Sequence, residues 1–230
     1  MAAPHRISVE PARLAGWLDD FAQRHGRPDY SVDSDRLVLR APDGAEAVIT
    51  PIWGSLSAPD PVAQLLAELG RTRRLGALLC RKAGHAIGVF DGTNLVAHAL
   101  GRHHVQGRTK AGGWSQQRYA RRRDNQANRA FGKAADAAAD LLLPRLDGLD
   151  GLLLGGDSHA VRTVLADPRL APLAALAEVT RWRMIPCPDP NLRVLRESLA
   201  RFNAVPISLN EAARSSSLLA QQHDQAGQHG

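Results

Sequence analysis

Apolar positions along the chain recur with two periods, one helical and one strand-like, and their succession lays out the expected elements. From 10 to 25 (EPARLAGWLDDFAQRH), Leu14, Trp17, Leu18 and Phe21 fall at helical spacing, and Gly26 to Pro28 stop the pattern. RLVLRA at 36–41 and AEAVITPIW at 45–53 flank the turn-forming PDG at 42–44, which predicts a hairpin. Residues 59–72 open with Asp60 as a candidate cap and set Val62, Leu65, Leu66 and Leu69 on one face of a second helix. The stretch 75–104 reads as three strands, with turns at Lys82 to His85 and at Asp91 to Asn94. After a polar, Gly-rich loop at 106–113, Ser115 is placed to cap a long helix reaching about Leu143. Phe131, Ala134, Ala135, Ala138, Leu141 and Leu142 form its apolar stripe, whereas arginine dominates its first half. Beyond it come a strand at 151–156 entering a helix at Ser158, a helix from Ala171 to Val179, a strand at 181–186, a helix at 191–202 and a last strand at 204–209.

Strands alternating with helices, preceded by hairpins, favour an α/β layered domain with a mixed sheet. One domain over 1–213 is expected, made of an N-terminal helix and hairpin region (1–72) and a core (73–213). The polar, Gln-rich segment 214–230 is expected to be disordered.

Composition narrows the class. Among 230 residues, 44% are hydrophobic and 23% charged, and no apolar run approaches the roughly 20 residues of a membrane span, so no membrane partner is expected. The N-terminus, MAAPHRISVEPARLAGW, carries no basic segment followed by an apolar stretch, which predicts a cytoplasmic protein. Cys80 and Cys187 lie in apolar surroundings without a CxxC pair, as small buried hydrophobes do. The net charge of +6 is unevenly distributed. Residues 102–133 hold nine Lys or Arg against one acid, Asp124, for +8; the rest of the chain holds 20 basic against 22 acidic residues. A basic excess confined to one segment is the footprint of a phosphate-rich partner.

Within that segment, GRTKAGGWSQQRYARRRDNQ (107–126) joins a glycine pair, an amide pair and an Arg-rich helix. Gly112 and Gly113 permit backbone conformations and close approaches denied to other residues, so a loop tip there can enter a narrow cavity. Gln116 stands at GxxQ spacing from Gly113, and a Gln amide donates and accepts hydrogen bonds at once, which suits holding a water against a carbonyl. Arg108, Lys110, Arg118, Arg121, Arg122, Arg123 and Arg129 are suited to phosphates, while Trp114 and Tyr119 can stack on bases.

Gly112-Gly113-Trp114-Ser115-Gln116-Gln117-Arg118-Tyr119-Ala120-Arg121 resembles the loop and helix of the catalytic domain of eukaryotic and archaeal class I peptide release factors, where GGQ precedes a Ser and an Arg-aromatic-Ala-Arg helix. Here Trp114 follows the two glycines, so strict GGQ is absent, and Gly113-x-x-Gln116 is closer to the VLRF-type release factors, in particular their short actinobacterial branch. Those relatives free nascent chains from obstructed large ribosomal subunits. The resemblance, strongest over 75–145, implies a three-layer α/β fold of ribonuclease H-like architecture and peptidyl-tRNA hydrolase activity. It implies Gln116 as the catalytic residue, with Gly112 and Gly113 beside it, and no cofactor or metal. The large ribosomal subunit with its RNA and peptidyl-tRNA are the partners it implies, and a monomer is expected.

Simpler explanations compete at several positions. Gln117 is the nearest rival to Gln116. Leu154-Gly155-Gly156-Asp157-Ser158-His159 invites a phosphate-loop or triad assignment, yet a strand-to-helix turn explains it, since adjacent triad members cannot adopt the needed geometry. Asp91 belongs to a turn signal rather than a two-metal site, and His103 and His104 lack further ligands at useful spacing. The same basic loop and helix would also serve a noncatalytic, RNA-binding, ribosome-associated factor.

Overall fold

The computed structural model describes residues 5–57, 59–102 and 115–214, and over 115–127 the course of the helix alone. In chain order the elements are β1 (His5–Val9), α1 (Leu14–His25), β2 (Asp29–Asp33), β3 (Arg36–Arg40), β4 (Glu46–Ile49), α2 (Pro61–Gly70), β5 (Arg74–Arg81), β6 (Gly84–Asp91), β7 (Asn94–Arg102) and α3 (Ser115–Leu142). They continue with β8 (Gly151–Gly156), α4 (Ser158–Leu165), α5 (Ala171–Val179), β9 (Met184–Ile185), α6 (Leu192–Asn203) and β10 (Val205–Leu209). Two compact units result, one from 1–71 with 203–230 and one from 72–202.

The first unit is an antiparallel sheet in the order β1-β10-β4-β3-β2. The predicted hairpin is β3–β4, where Leu37, Leu39, Ala47 and Ile49 point inward and meet Leu14, Leu18 and Phe21 of α1 and Leu65 of α2. Asp60 caps α2 as expected, its carboxylate accepting from the Ala63 N–H at 2.9 Å. Neither β1 nor β2 is among the elements expected from the sequence. Every residue of β2 (DYSVD) is exposed, so this edge strand is recruited by backbone pairing with β3, whereas β1 pairs with β10 and also packs Ile7 and Val9, partly buried, against the core. The last strand, β10, lies between β1 and β4 in this sheet. Asn210 secures it there, accepting from the Glu46 N–H at 3.0 Å and donating to the Gly44 carbonyl at 2.9 Å.

The second unit holds a mixed sheet, β7-β6-β5-β8-β9, with β5, β6 and β7 antiparallel and β8 and β9 parallel. Its central strands β5, β6 and β8 are apolar runs buried on both faces, as strands covered by helices must be. On one face Leu78, Ile87, Val89, Leu152 and Leu154 pack with α3, α4 and α5 through Phe131, Ala135, Val161 and Leu173. On the other, Leu195 of α6 lies over Gly88, where an added Cβ would come within 3.0 Å of its side chain. The unit therefore has the three layers and mixed sheet expected. His85, expected in a turn, is instead a buried residue of β6.

Candidate nucleic-acid interface

The basic segment lies between two well-anchored elements. β7 is an edge strand whose final turn of pairing depends on two glycines. A Cβ on Gly84 would stand 2.5 Å from the Gly101 carbonyl oxygen, and one on Gly101 would stand 2.2 Å from the His85 ring. Glycine at both positions lets β6 and β7 close together at Arg102, with the His85 imidazole filling the space above Gly101.

On the far side, α3 runs 28 residues, about 42 Å of helix at 1.5 Å per residue. Its C-terminal half is held on the sheet by Ala130, Phe131, Ala134, Ala135, Ala138 and Leu142, all buried, with Leu141 half-buried. Alanines bring the helix axis close to the strands, and Phe131 meets the His159 ring edge-on at 6.3 Å between centroids. On the opposite side of the same stretch Arg129 and Lys133 are exposed, while Asp136 is held by Arg169 at 2.8 Å.

Of the residues singled out from the sequence, Arg108, Lys110, Gly112, Gly113 and Trp114 lie outside the described residues. Gln116, Gln117, Arg118, Tyr119, Arg121, Arg122 and Arg123 belong to the first turns of α3, their side chains outside the description. Ser115, expected as the cap, is the first helical residue.

The sequence profile of the Actinobacteria/chloroflexi VLRF1 release factors matches residues 73–208, more than half of the chain. The chain belongs to this family. Membership in a release-factor family supports a role in translation termination and, with it, interaction with the ribosome. Among solved structures, archaeal translation termination factor aRF1 aligns at 13% identity and a TM-score of 0.43, covering 99% of this chain and 72% of that one. A second archaeal protein aligns at 14% identity and a TM-score of 0.41, with the same coverage. Comparison with curated protein sequences returns no match.

Other candidate chemistry in this VLRF1-family chain resolves into structure. Gly155 and Gly156 end β8, and Asp157 caps α4 by accepting from the Ala160 N–H at 2.9 Å, so the GGDSH stretch is a strand-to-helix turn. Asp91 closes the β6–β7 hairpin beside Gly92, whose φ is 57°. Both cysteines are buried thiols; burial pushes Cys80 up to about 12 and raises Cys187. Among the described residues no three His, Cys, Asp or Glu side chains group as metal ligands, and no helix is long and apolar enough to cross a membrane. His103 and His104 lie outside the described residues.

Proposed function

We propose that this release factor is a peptidyl-tRNA hydrolase that frees nascent chains from stalled large ribosomal subunits, acting as a cytoplasmic monomer. The observation that carries the reading is Gly113-x-x-Gln116 at the head of α3, inside the stretch that matches the VLRF1 release factors. The physical arrangement suits the task. Ala130 to Leu142 hold α3 on the sheet, and the helix continues unbroken for about 22 Å from Ala130 back to Ser115. A continuous helix loses less chain entropy on binding than a free loop does. Arg129 and Lys133 are exposed on the side of the anchored half away from the sheet.

In this mechanism Arg108, Lys110, Arg118, Arg121, Arg122, Arg123 and Arg129 hold phosphates of ribosomal RNA and tRNA, and Trp114 and Tyr119 stack on bases. Gly112 and Gly113 let the backbone approach the ester carbonyl. The Gln116 side chain and nearby backbone N–H groups hold the attacking water and stabilise the oxyanion as it develops. The terminal ribose hydroxyl of the tRNA relays the proton.

The deciding experiment measures release of labelled peptide from purified large subunits bearing peptidyl-tRNA. Gln116→Ala is expected to lower release by about 10²- to 10³-fold, the usual loss for one polar group at a developing oxyanion, while subunit binding stays unchanged. Binding without release by the wild-type chain itself would instead identify a noncatalytic ribosome-associated factor.

A further inference from the structure

The face of the mixed sheet opposite α3 carries a second basic feature. Strand alternation sends Ala97 and Ala99 of β7 toward the α3 side and Leu100 and Arg102 toward the α6 side. There the end of β7 and the start of α6 enclose a cleft of about 480 Å³, lined by Leu100, Arg102, Pro190, Asn191, Leu192 and Arg193. That volume lies within the range, about 300–1,000 Å³, of sites that bind small ligands.

Its chemistry is divided. Leu100, Pro190 and Leu192 supply an apolar surface, on which Leu100 of the edge strand is 47% exposed. Arg102 and Arg193 supply the charge, and no carboxylate among the described residues lines the cleft. Asp189, the acid nearest in sequence, is engaged by Arg81 at 3.4 Å. No carboxylate among the described residues pairs with Arg102, and Arg193 has only the i,i+4 contact to Glu197 at 3.7 Å, with its side chain 79% exposed. Exposed pairs of that kind are weak in water and leave the guanidinium available to a phosphate. Asn191 is committed to the fold, accepting from the Val194 N–H at 3.0 Å and donating to the Asp189 carbonyl at 3.2 Å.

Two available guanidinium groups beside an apolar floor match a nucleotide, which joins an anion to a flat, largely apolar body. We propose that this cleft is a second RNA site that holds one nucleotide of a single strand, its phosphate on Arg102 and Arg193 and its base against Leu100 and Leu192. The choice of RNA rests on the reading under Proposed function; the cleft itself rests on its own residues, none of them among the positions assigned there. In sequence, Arg102 stands four residues before the Gly-rich loop at 106–113.

The test is fluorescence anisotropy of a labelled oligouridylate with the full chain, over a series of salt concentrations. The double variant Arg102→Ala/Arg193→Ala is expected to bind about tenfold more weakly and to lose about 0.7 from the slope of log affinity against log salt, one phosphate contact on a single strand. Arg201→Ala, on α6 but outside the cleft, is expected to bind as wild type does. Thermal melts separate loss of contact from loss of fold, and both cleft arginines are exposed. If the cleft variant binds like wild type while Arg121→Ala/Arg122→Ala weakens, the cleft assignment is overturned and the RNA reading stands. No binding by the wild-type chain would sink both. Free uridine monophosphate is expected to compete only at far higher concentration than unlabelled oligouridylate; equal potency would reassign the cleft to free nucleotides and overturn the strand assignment.

Discussion

Single residues carry more of this fold than their chemistry advertises. Cys80 follows an apolar run and was legible as a buried hydrophobe; its neighbours were not. Burial first, and then the nearby charge of Asp157 and the second thiol of Cys187, push the Cys80 thiol up to about 12. Burial raises Cys187 as well. Since the thiolate is the reactive form, both thiols are expected to stay unmodified by Ellman's reagent at pH 8 in the folded chain, and two are expected to react once it is denatured. Rapid labelling of the native protein would refute that burial. In the GxxQ segment, Gln116 was legible as a candidate because its spacing from Gly113 is a purely local pattern. His85 was not, because its role depends on the missing side chain of Gly101, sixteen positions away in sequence but opposite it in the sheet.

At the scale of elements, α3 was the clearest prediction. A 3.6-residue period survives in the sequence wherever one face is buried, and the stripe from Phe131 to Leu142 is buried as its spacing requires. Gly132 interrupts this helix on its exposed side, with nothing within 4 Å of an added Cβ. Gly132→Ala is therefore expected to raise stability by about 0.5–1 kcal/mol in urea unfolding, through helix propensity and a less flexible unfolded chain. The same substitution at Gly156 is expected to have the opposite sign and cost about 1–3 kcal/mol or more. Its φ is 101°, and the new methyl would meet the Cys80 carbonyl oxygen at 2.3 Å. Strands β1 and β2 carry only two alternating apolar residues each, Ile7 and Val9 or Tyr30 and Val32, too few to stand out, and their pairing uses backbone groups that every sequence possesses.

For the molecule as a whole, each unit contains a carboxylate held below its ordinary value of 3.8. Asp43 is lowered chiefly by the hydrogen bond with buried His25, at 2.7 Å, and by the Ala45 N–H; Asp167 is lowered by the Arg169 side chain and its N–H. A folded-state pKa below the unfolded one stabilises the fold above the unfolded value and loses that effect as pH falls through the folded one. Urea midpoints are thus expected to be level above about pH 5 and to decline below about 3.8, more shallowly for Asp43→Asn. A midpoint that rose on acidification would contradict the His25–Asp43 assignment.

The order and type of most elements, the seat of the positive charge and the GxxQ pattern are legible along the chain, because periodicity, charge runs and short motifs are properties of neighbouring residues. Folding in three dimensions sets β10 between β4 and β1, places His85 over Gly101 and brings Arg102 and Arg193 to one cleft. Those pairings join residues distant in the chain. Nothing in local spacing encodes them, since they arise from which apolar faces can be buried against one another.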